Sequence, residues 1–243
     1  MDKVQDERNT LEVALPLLRS LYGKFNVDCS QTDRPDAAIV LADGRRIGIE
    51  ITSLDLQEHQ QYMKDQGIGR AATIEQSRRI TAGLPIIEAP TKKLQIQIAR
   101  EYLATGALAK AGKYNEYMVA GGYDEIVLLT TSCYLTASHK GFDTYYVPKA
   151  SFVFGTKNFP FDKVAFVCHH QKSAKLVYEK AAPVQAPPRE ELFPDESVES
   201  STVTVPAGKS IALARILREP PLAPNRPRPK SKRKPRPSKS TKR

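Results

Sequence analysis

The chain has 243 residues, 40% of them apolar and 26% charged, which is an ordinary balance for a globular protein. No apolar run reaches the roughly 18 residues that a transmembrane helix needs, and the polar start MDKVQDERNT is unlike a secretory signal peptide. Three widely spaced cysteines, Cys29, Cys133 and Cys168, indicate neither a disulfide framework nor a zinc module. We therefore expect a cytoplasmic protein whose cysteines are small buried side chains.

The first quarter of the chain predicts a helix, a strand and a hairpin. Residues 9–24 carry leucines at helical spacing, although a proline among them favours a kink or a later start. Residues 25–31 alternate as a strand does. Two further strands, residues 36–42 and 45–53, flank an Asp-Gly pair, which is a strong signal for a tight hairpin turn.

The middle of the chain predicts helices followed by buried strands. The apolar positions Leu94, Ile98 and Tyr102 predict a long helix with one apolar stripe. We therefore predict one α/β domain over residues 1–180, with helices packed on a mixed β-sheet. The predicted elements after the hairpin are a polar helix at 56–80, a long helix at 91–117, and strands at 125–132 and 162–170.

The C-terminal region differs in composition from this body. Residues 181–218 are rich in proline and acids and predict a linker with a short ordered segment. Residues 219–243 contain ten Lys or Arg and one Glu, a net charge of +9, whereas the rest of the chain has 27 Lys or Arg against 26 Asp or Glu. Because the tail has almost no apolar residues to bury, we expect it to be disordered.

The predicted hairpin carries two acids that strands of this apolar content rarely hold. Side chains alternate along a strand, so Glu50 and Thr52 face away from the neighbouring isoleucines. A two-residue loop would pair Asp36 with Ile51 and separate the acids, whereas a three-residue loop would pair Asp36 with Glu50 on one face. The sequence permits both loops. Where two carboxylates meet, they repel unless a cation lies between them, and oxygen ligands favour Mg²⁺ or Mn²⁺.

Pro35-Asp36, then a hairpin, then Glu50-Ile51-Thr52 resembles the motif of the PD-(D/E)xK nuclease superfamily. The predicted order of helix, three strands, helix and strand is similar to the core of that family, and the resemblance covers about residues 8–170. It implies a restriction-endonuclease-like mixed β-sheet flanked by helices. It also implies a Mg²⁺-dependent endodeoxyribonuclease, a hydrolase that cleaves phosphodiester bonds in DNA.

The resemblance also implies roles for individual residues. Asp36, Glu50 and the backbone carbonyl of Ile51 would hold the metal, Mg²⁺ or Mn²⁺. Glu12, in the first helix, would assist directly or through water. The metal would lower the pKa of a bound water and stabilise the charge that grows on the phosphate.

Thr52 stands where the family has a lysine that stabilises the transition state. Threonine donates a hydrogen bond but carries no positive charge. Either another cation reaches the site, or catalysis is weak or lost. The predicted long helix offers four lysines that could substitute: Lys92, Lys93, Lys110 and Lys113.

The basic tail predicts a nucleic-acid partner, DNA in the first place. Cations on a flexible arm neutralise phosphates and release counterions, which gives salt-sensitive binding without sequence preference. An inactive nuclease-like module that binds nucleic acid or a protein is the alternative function. A homodimer, or a subunit whose partner recognises the substrate, also stays open, and no membrane contact is expected. The cations expected to bind nucleic acid are Arg226, Arg228, Lys230, Lys232, Arg233, Lys234 and Arg236.

Overall fold

The computed structural model describes most of the chain before residue 205. The described chain falls into two compact units, one within residues 1–68 and 90–205 and the other at residues 69–85. The candidate site lies wholly in the first unit. The described residues are 3–28, 30–31, 34–64, 67–85, 91–194 and 198–204.

A six-stranded mixed β-sheet is the centre of the first unit. Its strands lie in the order β1-β2-β3-β5-β6-β7. The first three strands and the last pair are antiparallel, whereas β3, β5 and β6 run parallel to one another. The strands are β1 (Phe25–Val27), β2 (Ala37–Leu41), β3 (Arg46–Ser53), β5 (Glu125–Thr131), β6 (Lys163–Cys168) and β7 (Ser173–Glu179).

Helix α1 (Lys3–Tyr22) covers one face of this sheet. Its buried residues Ala14 and Leu18 pack with Ile47, Ile49 and other apolar side chains of the central strands. The helix begins earlier than the sequence predicts and continues through its internal proline. An amphipathic helix gains most of its stability from such packing, which outweighs the local preference against proline.

The opposite face is covered by the helices that follow β3 in the chain. Buried side chains of these helices, among them Leu103, Tyr117 and Phe154, pack with Leu128 and Phe166 of the sheet. The α/β class and the mixed sheet flanked by helices are thereby confirmed. The elements on this face are α4 (Tyr102–Leu108), a 3₁₀ helix (Ala111–Lys113), α5 (Tyr114–Gly121), a π-helical turn (Phe142–Tyr146) and α6 (Val147–Thr156).

The predicted long helix over residues 91–117 is wrong. Its first part is strand β4 (Thr91–Gln97), which pairs antiparallel with β8 (Val198–Thr204) in a separate two-stranded sheet. The cause lies in the spacing of Leu94 and Ile98. Residues four apart share a face in a helix and in a strand alike, because four is close to one helical turn and is also twice the strand period.

Two smaller differences and one further observation concern the rest of the described chain. The polar helix predicted at 56–80 is two helices, α2 (Gln57–Lys64) and α3 (Gly67–Thr81). Cys168 is buried as expected, but Cys133 is exposed, because it follows β5 in a loop. None of the helices in the described ranges is long and apolar enough to cross a membrane.

Candidate active site

The hairpin of β2 and β3 determines whether the two acids meet. It closes in a three-residue loop that ends at Gly44, whose φ of +90° is the left-handed conformation that glycine adopts without strain. The strand register pairs Ala37 with Ile49. Continuing this register by one residue places Asp36 opposite Glu50, so the three-residue alternative is the one observed.

Asp36 and Glu50 therefore lie together on the sheet face opposite to α1. Glu50 is only 4% exposed and Asp36 is half-buried. The Asp36 carboxylate accepts a hydrogen bond from the backbone N–H of Ile51, with 2.7 Å between N and Oδ2. This bond holds the start of β2 against β3 beside the carbonyl group of Ile51.

Lys110 supplies the positive charge of the site. Its ammonium nitrogen lies 2.7 Å from Oε1 of Glu50, and its side chain is 23% exposed. The residue follows α4, which packs closely against the end of β3. At Gly106 a side-chain carbon would approach the Cα of Leu54 to 2.8 Å, so only glycine allows this approach. Lys110 is one of the four lysines that the sequence offered for this role.

Tyr117, on α5, adds a neutral donor next to the acids. It is 3% exposed. Burial raises the pKa of its hydroxyl, and a hydrogen bond to Glu50 and the charges of Glu50 and Asp36 raise it further. The phenol therefore keeps its proton at neutral pH. The sequence does not predict this residue, because no local motif connects a tyrosine on a later helix to β3.

Two predicted site residues in the N-terminal half of the domain have different outcomes. Thr52 shares the face of Glu50 and is half-buried, with its hydroxyl 3.5 Å from the carbonyl oxygen of Ser53. Glu12 is exposed on α1, and α1 packs on the other side of the sheet. The structure therefore does not bring Glu12 to the face that holds the two acids, because helical packing of α1 directs Ala14 and Leu18 inward.

The two lysines predicted as catalytic, Lys93 and Lys113, do not lie on one long helix. Lys93 lies in strand β4 and not at a helix start, and its side chain is outside the described residues. Lys113 is exposed at the end of a 3₁₀ helix. Lys110, three residues earlier, is the lysine whose ammonium contacts Glu50.

A buried acid that belongs to no sequence motif fixes the end of β3 beside this site. Asp55, 7% exposed, accepts hydrogen bonds from the hydroxyls of Tyr102 (2.7 Å) and Ser132 (2.5 Å) and from the backbone N–H of Cys133 (2.8 Å). It thereby joins the segment after β3 to the start of α4 and to the loop after β5. An aspartate two residues after the end of an apolar strand is the only signal that the sequence offers for it.

The donors at Asp36 and Glu50 suit a hard divalent cation. Two carboxylates and a backbone carbonyl are oxygen ligands, which Mg²⁺ and Mn²⁺ prefer. Within the described residues no group of three or more His, Cys, Asp or Glu side chains could hold a metal. The tail cations from Arg226 to Arg236 lie outside the described residues.

Comparisons of the chain with protein-family models, with curated proteins and with solved structures found no match.

Proposed function

We propose that the protein is a metal-dependent nuclease that hydrolyses phosphodiester bonds, in DNA before RNA. The observation that carries this proposal is the meeting of Asp36, Glu50 and Lys110 on one sheet face, with the ammonium 2.7 Å from Oε1 of Glu50. The strand arrangement supports it. An antiparallel hairpin bears both acids, and its second strand runs parallel to β5, as in a restriction-endonuclease-like sheet.

The two acids would hold Mg²⁺ or Mn²⁺ together with the carbonyl oxygen of Ile51. The bound ion would lower the pKa of a water molecule and neutralise charge on the scissile phosphate. Asp36 is already fixed by the N–H of Ile51, so one ligand is oriented before any ion arrives. Orientation of this kind is what a functional site needs from its surroundings.

Lys110 would supply the positive charge that Thr52 lacks. An ammonium group at this position can donate a hydrogen bond to a phosphate oxygen or to the attacking water, and its charge opposes the charge that grows in the transition state. Tyr117 would help to keep Glu50 in place, because its hydroxyl retains the proton that it donates. The ion pair with Glu50 holds the lysine near the phosphate position without requiring a lysine on β3.

The basic tail supports nucleic acid as the substrate class. Residues 219–243 carry a net charge of +9, enough to neutralise several phosphates. Binding through such a tail is independent of sequence, because it depends on backbone charge. The tail would therefore raise the local concentration of DNA at the body of the protein.

The proposal is tested by cleavage of supercoiled plasmid in about 5–10 mM Mg²⁺ or Mn²⁺, because weakly bound Mg²⁺ sites fill in the millimolar range. We expect Asp36→Asn, Glu50→Gln and Lys110→Met each to lower the cleavage rate by about 100-fold or more, the usual effect of removing one stabilising group. Lys113→Met is the matched control, because this exposed lysine should leave the rate unchanged. Cleavage that survives both acid substitutions would refute the assignment.

The alternative is a nuclease-like module that binds nucleic acid without cutting it. The closed ion pair between Lys110 and Glu50 and the threonine at position 52 favour this reading. It predicts DNA binding that weakens steeply with salt and is largely lost when residues 219–243 are removed, with no cleavage in either metal. Measuring binding and cleavage on the same preparation separates the two functions.

A further inference from the structure

Residues 189–194, here called the docked segment, carry a carboxylate that binds three side chains of the body. The Glu190 carboxylate accepts hydrogen bonds from the Arg100 guanidinium, from Lys149 (3.2 Å to Nζ) and from the Tyr145 hydroxyl (3.0 Å). The Lys149 side chain is only 15% exposed. Three donors from two separate parts of the body thus converge on one acid of a segment predicted to be linker.

The docked segment also places an aromatic ring in a site lined by aromatic and cationic groups. The Phe193 ring lies against Tyr145 and Tyr146, with centroids 5.1 and 6.0 Å apart. The Arg100 guanidinium stands over the same ring, 4.7 Å from its centroid. Arg100 therefore contacts both the acid and the ring, which lie three positions apart in the sequence.

Pro194 completes the contact at the C-terminal end of the docked segment. It is buried, although the 3₁₀ turn before it is largely exposed. Its ring packs over Gly141, where a side-chain carbon would come within 2.9 Å of the proline Cδ. Gly141 has a φ of +79°, so glycine meets both the backbone conformation and the close approach.

A short connector, residues 181–187, joins β7 to the docked segment. Its residues are all exposed, although Val184 still packs against Gly155 of α6. The acid, the ring and the proline are the contacts that the docked segment itself makes. A short connector gives the segment an effective concentration on the order of millimolar at its site.

We infer that Arg100, Tyr145, Tyr146 and Lys149 form a peptide-docking surface, specific for a carboxylate followed three residues later by a phenyl ring and a proline. Its occupant is the chain's own segment, bound in cis. These side chains suit a peptide that carries both groups, because the cations bind the carboxylate and the aromatic side chains pack against the phenyl ring. The inference is independent of the nuclease proposal.

The test uses the full chain carrying Glu190→Ala and Phe193→Ala, which vacates the surface. A fluorescein-labelled peptide of residues 187–194 should bind this variant saturably, measured by fluorescence anisotropy. The same peptide with alanine in place of the phenylalanine should bind at least about 10-fold more weakly, as expected when an anchoring ring is lost.

The unsubstituted full chain should also bind the peptide at least about 10-fold more weakly than the vacated variant, because its own segment competes at millimolar effective concentration. Equal binding to the two chains, or equal binding of the two peptides, would overturn the inference.

A second measurement does not depend on the folding of the double variant. Trypsin should cleave after Arg189 several-fold faster in Lys149→Met than in the unsubstituted chain, because the Glu190 carboxylate loses one of the cations that hold it while the residues on both sides of the cleaved bond stay unchanged. Circular dichroism checks that this variant folds. Identical cleavage rates in the two chains would contradict a surface that depends on the carboxylate.

Discussion

Replacing Lys110 by methionine removes the ammonium partner of a carboxylate that is almost fully buried. The two side chains are 23% and 5% exposed, and their charged atoms are 2.7 Å apart. Coulomb's law at an effective dielectric constant of about 20 gives about 6 kcal/mol for unit charges at that distance, before desolvation is subtracted. Removing one partner of a buried pair typically costs about 3–5 kcal/mol. Because the lysine is partly exposed, we expect Lys110→Met to lower the free energy of unfolding by about 3 kcal/mol.

A double-mutant cycle isolates the ion pair from the rest of the substitution. Urea unfolding followed by far-UV circular dichroism suits this chain, which has no tryptophan. Glu50→Gln combined with Lys110→Met should lose at least about 1 kcal/mol less than the sum of the single variants, because the residues are in contact. Lys113→Met, as a control, should change stability by less than about 0.5 kcal/mol. Additive losses in the cycle would refute the pairing of Lys110 with Glu50.

Two further predictions concern packing and pH. Gly106→Ala should destabilise the fold by about 1–3 kcal/mol, because its new carbon would meet the Leu54 backbone at 2.8 Å. Gly112→Ala is the control in the same urea assay. Its new carbon faces open space, so this variant should be neutral or slightly stabilised. Burial alone would raise the pKa of Glu125, but hydrogen bonds from Lys163 and a neighbouring tyrosine outweigh it and hold the pKa below its usual 4.5. This stabilisation is present above about pH 4.5 and is lost as the pH falls below it, so Glu125→Gln should unfold with a flatter acid dependence than the unsubstituted chain. Equal acid slopes would show that this carboxylate is not stabilised by folding.

The hairpin illustrates how far the sequence could predict the site. An Asp-Gly pair between alternating apolar runs predicts two antiparallel strands, and strands at 37–41 and 46–53 are found. The register was open, because an Asp-Gly pair fits a two-residue and a three-residue loop. The left-handed conformation of Gly44 at the third loop position decides it, and with it the meeting of Asp36 and Glu50.

The choice among the four lysines depended on packing between distant residues. Lys110 reaches Glu50 because α4 lies against the end of β3, and this approach depends on the absence of a side chain at Gly106. Local propensity carries no information about such a contact across the fold. The strand β4 was missed because its spacing also fits a helix, and the partner β8 that makes it a strand lies about 100 residues later in the chain.

Buried polar contacts were the least predictable part of the molecule. Asp55 and Tyr117 belong to no motif, and their importance arises only when several elements meet. The docked segment is a similar case. Its composition of prolines and acids predicts a linker, yet Glu190 and Phe193 find cationic and aromatic partners that come from two other parts of the chain.

In the proposed function, the two acids of the hairpin would hold a divalent metal beside Lys110. A crystal soaked in Mn²⁺ and measured for anomalous scattering tests it most directly, because manganese can be located without assumptions about the protein. We expect an anomalous peak bound by Asp36, Glu50 and the carbonyl oxygen of Ile51, at metal–oxygen distances of about 2.0–2.3 Å, near the octahedral values of such ions. A map that shows Mn²⁺ only at other sites, with no ion between the two acids and the Lys110–Glu50 ion pair intact, would contradict this assignment.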